Sequence, residues 1–298
     1  MLDQPTVAVV GGCGIGLTLR LARMPGAGET VTGATFAEGP GGKGSNQAIA
    51  VRRLGVEARL FTIVGDDRRG RALLELWKSE GVDASAVLVG DAATMVGAIL
   101  VEPSGENRIV VAPGVLDELD AGSLLSFAGL ESASALLVNL EIPLATASAA
   151  LLRASGAGVL TVLNPAPAGL LPAHVWAAVD HVTPNRGEAA ALTGLGDDAA
   201  PDDLVDALRG LCRGAIVLTL GAGGALVDSN GVREAIAAVP VEEVVDTTGA
   251  GDAFSAAYAV ALVEGTGPFE AARFAVRAGA FAVTREEVVP ALPWRADL

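Results

Sequence analysis

Lysine is scarce in this chain. Among 298 residues there are 20 Lys or Arg, and only Lys43 and Lys78 are lysines. The 35 acidic residues leave a formal charge of -15 and a pI near 4.5. A chain this acidic, with no basic run, is not built to neutralise nucleic-acid phosphates, so no nucleic-acid partner is expected. Cysteine is equally sparse. Cys13 and Cys212 are far apart and lack CxxC spacing, which argues against a disulfide framework or a zinc site and fits a reducing compartment. No apolar run reaches the ~18 residues of a membrane span. Met1-Leu2-Asp3-Gln4-Pro5 has no basic region before an apolar stretch, so no signal peptide is expected. Internal repeats and long low-complexity linkers are also lacking. The expectation is a cytoplasmic protein with no membrane partner.

What is present suffices for a large core. The chain is 51% hydrophobic and 18% charged, and its length suits one domain over 1–298. Val7-Ala8-Val9-Val10 reads as a buried strand. Gly11-Gly12-Cys13-Gly14-Ile15-Gly16 then resembles a dinucleotide fingerprint, but no G-x-G-x-x-G register fits. Leu17, Leu19 and Leu21 alternate with polar or small residues, a strand period where that fingerprint must open a helix. More strand is expected over 29–36, and a hairpin over 94–101 and 108–112. These strand-rich stretches, about 15–36 and 94–112, sit apart from the rest. Elsewhere strands (59–64, 135–138, 159–163, 181–183, 215–220, 225–227) alternate with helices (70–80, 144–154, 186–192, 202–213, 253–264, 268–283). That alternation predicts an α/β fold with a mostly parallel sheet covered on both faces.

Two glycine loops carry the chemistry. Asp246-Thr247-Thr248-Gly249-Ala250-Gly251-Asp252 feeds an apolar helix. A helix N-terminus has free N–H groups and a partial positive charge, and glycines let an anion come close. Asp252 stands where a carboxylate could take a proton from a hydroxyl, or where it could simply be an N-cap. Gly39-Pro40-Gly41-Gly42-Lys43-Gly44-Ser45-Asn46-Gln47 is the second loop, ahead of a helix expected over 48–55. It is no Walker A loop, because Gly44 rather than Ser or Thr follows the lysine. Lys43 and Asn46 would project from it as donors toward a polyhydroxyl ligand or a phosphate, or form only a capped polar turn.

Together these stretches resemble the ribokinase-like (PfkB) carbohydrate kinases. Gly41-Gly42-Lys43-Gly44-Ser45-Asn46-Gln47-Ala48 is similar to the family's N-terminal signature, and Asp246 to Asp252 to its C-terminal one. Leu140-Glu141-Ile142-Pro143, Asn164-Pro165-Ala166-Pro167, Thr183-Pro184-Asn185-Arg186-Gly187-Glu188 and Thr219-Leu220-Gly221 stand between them in the family's order. The likeness covers the whole chain and is greatest to the ribokinase branch. It implies a three-layer α/β sandwich with a small β-sheet lid over the sugar, the lid often serving as a homodimer interface.

The resemblance also implies roles. Asp252 would be the base for the sugar hydroxyl that attacks the γ-phosphate of ATP, with Gly249, Ala250 and Gly251 as an anion hole. Gly42, Lys43, Gly44, Asn46 and Glu141 would grip the sugar. Asn185, Thr219, Gly221, Gly224 and Gly251 would line the nucleotide site, and Glu188 would hold Mg²⁺ through water. Carbonyls of Asp246 and Thr248 are candidates for a monovalent cation. Two departures stand out. Gly14 and Gly16 replace an Asn and an Asp that bond sugar hydroxyls in ribokinases, which puts ribose specificity in question. Glu287 and Ala291 replace a Gly and a Ser of K⁺-using members, which argues against strong K⁺ activation. A nucleoside kinase of the same fold, or a sugar- or nucleotide-binding sensor without turnover, are the alternatives.

Overall fold

The computed structural model describes residues 4–103 and 107–298. The first three residues and the turn at 104–106 therefore lie outside the described residues, with the readings that fall on them. Eight strands form the main sheet. Their spatial order is Val232–Ile236, Ala225–Ser229, Ala215–Thr219, His181–Val182, Leu160–Asn164, Ala135–Asn139, Thr6–Val10 and Glu57–Phe61. The last six in this order are mutually parallel, and the first two are antiparallel additions at one edge.

The strand Thr6–Val10 is buried on both faces. Val7 and Val9 pack with helices Lys43–Arg53, Ala250–Val263 and Pro268–Ala282. Ala8 and Val10 pack with helices Leu144–Gly156, Arg186–Thr193 and Pro201–Arg209 on the other side. This period-two division makes the three layers. Helix Ala250–Val263 is buried over residues 252–261. Its alanines at 253, 256, 257, 259 and 261 let it lie close against its neighbours, so the residues of its first turn are fixed by core packing.

A second sheet holds Thr35–Gly41, Gly14–Arg20, Val96–Val101 and Asn107–Ala112, in that order. It accounts for the strand-rich stretches that did not fit the alternation. The strand expected over 29–36 lies later, at Thr35–Gly41. Gly28 and Gly33 adopt φ of 74° and 84°, which breaks extension across the intervening Thr and Val residues. The stretch read as a loop, Gly39 to Gly41, instead pairs with Gly14 to Gly16. The following helix begins at Lys43, five residues earlier than expected. Gly42 makes the corner with φ 87°, and a Cβ there would lie 2.4 Å from Cys13 Cα.

The strand expected over 59–64 divides. Glu57–Phe61 joins the main sheet, while Ile63–Gly65 pairs with Leu88–Gly90. The edge strand Val232–Ile236 was not anticipated. It has only one fully buried apolar residue, Ile236, and so gives a weak pattern.

Candidate active site

The parallel strands all end at one edge of the main sheet. The residues of interest follow those ends: Gly12 after the first strand, Glu141 after Asn139, Asn164 at its own strand's end, then Thr183, Asn185 and Thr219. Ligands of open α/β sheets bind at this edge. Helices Lys43–Arg53 and Ala250–Val263 bring their first turns to the same place. Lys43, Asn46 and Gln47 thereby meet Asp252.

Asp252 is 5% exposed. It is not the N-cap, a position held by Gly249 with φ 82°. Asn46 Nδ2 donates to Asp252 Oδ2 at 2.8 Å, and Gln47 Nε2 donates to Oδ1 at 3.2 Å. Gln47 is itself held. Its Nε2 also donates to Asn164 Oδ1 (3.0 Å), and its Oε1 accepts from Asn139 Nδ2 (3.1 Å). Asn164 Nδ2 donates to the Thr183 carbonyl at 3.1 Å, and Thr183 Oγ1 shares a hydrogen bond with Ser255 Oγ at 3.0 Å. Buried polar groups must be paired, so this chain of amides fixes the carboxylate in place.

Burial pushes the Asp252 carboxyl above its usual range, against the opposing charge of Lys43 and the two amides. Lys43 is raised in turn, chiefly by Asp252. Burial also raises Glu141 and Glu188, with Lys43 opposing in each case. One lysine thus serves three carboxylates around a common space. Glu141 Oε2 accepts from the Lys43 backbone N–H at 2.6 Å, and a Cβ on Gly12 would lie 2.6 Å from Glu141 Cβ.

Asn185 and Thr219 are bridged side by side, with Thr219 N donating to the Pro184 carbonyl at 2.9 Å. Asn185 caps helix Arg186–Thr193 reciprocally with Glu188. Asn185 Oδ1 accepts from Glu188 N, and Glu188 Oε2 from Asn185 N, both at 2.8 Å. One Glu188 oxygen is therefore committed to the cap. Gly221 opens a short turn with nothing within 4 Å of its Cβ position. Gly224 packs against the Ile236 carbonyl, where a Cβ would be 2.1 Å away. Asp246 stands off from Asp252. Its Oδ1 accepts from Thr248 N at 2.8 Å, and its Oδ2 is 4.0 Å from Arg20 on the small sheet.

A neutral-amide cradle around a buried carboxylate, beside a glycine turn opening a helix, suits removal of a proton from a hydroxyl near an anion. The model of the pfkB family carbohydrate kinases matches residues 4–295. The chain belongs to this family. Like its relatives, this pfkB-family kinase transfers phosphate to a sugar hydroxyl. It is 34% identical to a ribokinase of Bacillus subtilis, over 98% of this chain and 97% of that one. It is 32% identical to a ribokinase of Haemophilus influenzae, over 99% and 97%. Its fold is similar to a structure of Arabidopsis thaliana ribokinase complexed with ribose and ATP, with a TM-score of 0.87, 27% identity, and coverage of 99% and 97%.

Sequence reasoning missed several parts of this kinase's site. Gln47 lay inside the signature, but its contact with Asp252 spans 205 residues of chain. Asn139 and Asn164 carried a findable signal, an amide ending a buried, mostly apolar strand in each case. Met95, just ahead of the strand Val96–Val101, and Arg20, at the end of the strand Gly14–Arg20, carried none.

Proposed function

We propose that the chain transfers the γ-phosphoryl group of ATP to a hydroxyl of a ribose-like sugar, with Asp252 as general base. The observation that carries this is the placement of Asp252. It is buried, raised in pKa, and held by two neutral donors at the open N-terminus of helix Ala250–Val263. The names of the ribokinase relatives, and the ribose and ATP of the Arabidopsis structure, support it.

In this reading Gly42, Lys43, Gly44, Asn46 and Glu141 hold the sugar, and Asp252 takes its hydroxyl proton. The freed oxygen bonds to the γ-phosphorus as the bond to the bridging oxygen breaks, and ADP leaves. Backbone N–H groups of Gly249, Ala250 and Gly251 face the charge on the moving phosphoryl group. Asn185, Thr219, Gly221 and Gly224 border the nucleotide. No cluster of three metal-binding side chains occurs among the described residues. Mg²⁺ is held by one or two carboxylates, waters and substrate phosphates. Glu188, with one oxygen outside its cap, would hold it and so neutralise phosphate charge. A K⁺ role at the Asp246 and Thr248 carbonyls is left to titration.

The small sheet, bounded as described above, is the lid over the sugar. Phe36 and Val110, which the register places on one face of it, are both more than half exposed, which supports a second copy of the chain seated there. Among the described residues no helix is long and apolar enough to cross a membrane. The two cysteines are free and buried, which supports a cytoplasmic setting.

Asp252→Asn tests the central claim. Turnover should fall by about 10²- to 10⁴-fold, while a thermal shift on adding sugar persists. In the unaltered enzyme, kcat/KM should decline on the acid side in a range above the ~4 of an ordinary carboxylate, because the base must be ionised. Unchanged turnover in the variant would remove Asp252 from the reaction.

A further inference from the structure

The lid has two faces, and they differ in kind. Register places Gly14 opposite Gly41, and Gly16 opposite both Gly39 and Gly97. Opposed residues share a face, so these five glycines form one side-chain-free patch. Arg20, on the same face of the strand Gly14–Arg20, reaches Asp246. The patch is thus turned toward the loop that ends in Asp252. The opposite face carries Ile15, Leu17 and Glu38, the last paired with Arg68.

Apart from Gly14, nothing in the backbone demands glycine here. None of the five has a positive φ. A Cβ on Gly39 or Gly97 would meet nothing within 4 Å, and on Gly16 or Gly41 nothing nearer than 3.4 Å. Gly14 alone is covered, since a Cβ would lie 2.5 Å from the Met95 carbonyl oxygen and 2.7 Å from its sulfur. Glycine inside a strand weakens the sheet, and it commonly marks the close approach of a ligand. At the root of this face Asn46 supplies an independent sign of a ligand. It is 4% exposed, its Nδ2 is spent on Asp252, and its Oδ1 has no partner.

The face therefore offers space, peptide planes, the Met95 sulfur and the aliphatic side chains of Ile99, Ile109 and Val111. It offers no polar side chain nearer than Thr18 and Arg20. Sugar hydroxyls turned toward it would be left unpaired, which is costly in a buried site. A flat, weakly polar group would instead stack on the peptide planes and gain from the sulfur. Resting on the kinase reading above, we propose that the acceptor is a sugar bearing such a substituent toward the lid, a nucleoside being the simplest case, and that Gly16, Gly97 and Met95 set this preference.

The test uses the full chain with ATP and Mg²⁺, and follows ADP release with D-ribose and with a panel of purine and pyrimidine nucleosides. The products are identified by mass. At least one nucleoside should exceed ribose in kcat/KM by about tenfold or more. Gly16→Asp enters open space and restores a polar group. It should lower the nucleoside-to-ribose ratio by about tenfold without lowering the melting temperature. Ribose preferred over every nucleoside, or a ratio unmoved by Gly16→Asp, overturns the inference and leaves the kinase reading standing. If no acceptor is phosphorylated and Asp252→Asn behaves as the unaltered chain, both fall.

Discussion

Replacing Glu287 by glycine should stabilise the protein. Glu287 precedes the short helix Val288–Ala291 with φ 62° and ψ 151°, a region that residues with a Cβ rarely occupy. Such a conformation costs about 1–3 kcal/mol. The side chain is exposed, so its removal gives up no buried packing. Against this gain stands the greater freedom of glycine in the unfolded chain, roughly 0.5–1 kcal/mol. The balance is a net stabilisation of about 0.5–2 kcal/mol, or about 1 to 3 °C in melting temperature for a chain of this size. Equilibrium denaturation in urea measures it. Glu287→Ala is the control, because it removes the charge and keeps the Cβ. It should stay within about 0.5 kcal/mol of the unaltered chain. Equal stabilisation by both variants would assign the effect to charge. No stabilisation by glycine would show that the backbone carries no such strain.

The turn before Asp252 permits a sharper separation of stability from activity. Gly249→Ala would set a Cβ 2.6 Å from Val288 Cγ1 at φ 82° and should cost about 1–3 kcal/mol of stability as well as rate. Gly251→Ala meets nothing within 4 Å and lies in the helix, so the fold should be unharmed. Yet its methyl would keep a phosphoryl group from the backbone, lowering kcat by about 10²-fold or more. A fully active Gly251→Ala enzyme would exclude an anion hole there. His181 provides a pH test. It is half-buried, its Nδ1 is 2.8 Å from the Tyr258 hydroxyl, and loss of solvent lowers its pKa from 6.5 to about 4. Below 6.5 the unfolded chain takes up the proton first, so stability should fall as pH drops from 6.5 to about 4 and level off below that. The loss is at most about 3 kcal/mol. His181→Gln should flatten that part of the urea midpoint–pH profile, and a profile identical to that of the unaltered chain would refute the assignment.

Local pattern was enough to read most of this fold. Apolar runs such as Val7 to Val10 found the buried parallel strands, because strands covered on both faces have no other composition. The signatures singled out Lys43, Asn46 and Asp252, and the fold brings these three to one place. The reading faltered where glycine conceals period. Gly39 to Gly41 is strand, yet its own Gly-Pro-Gly composition presents no apolar alternation. It faltered again where the decisive contact is distant in sequence. Nothing local says that Gln47 holds Asp252 or that Met95 covers Gly14. The Asp252 N-cap alternative failed for a geometric reason, since Gly249 already turns the chain and leaves Asp252 in the first helical turn.

The partners around Asp252 suit the role of base proposed for it. An arginine paired to this carboxylate would fix it equally well but lower its pKa by about 1–3 units, weakening it as a proton acceptor. Asn46 and Gln47 orient both oxygens without bringing a full charge, and Lys43 supplies attraction from outside the hydrogen-bonded pair. The net result stays above the ordinary carboxylate range, which favours proton transfer near neutral pH. The same arrangement costs stability. A folded pKa above the unfolded one means that the native state binds the extra proton. Folding is therefore weakened as pH rises from the unfolded value through the raised one. The buried alanine-rich helix behind Asp252 and the amide chain through Asn139, Asn164 and Thr183 offset that cost. The polar residues at the sheet's edge thus act together, since Gln47, which holds one oxygen of Asp252, is itself held by Asn139 and Asn164 at the ends of two core strands.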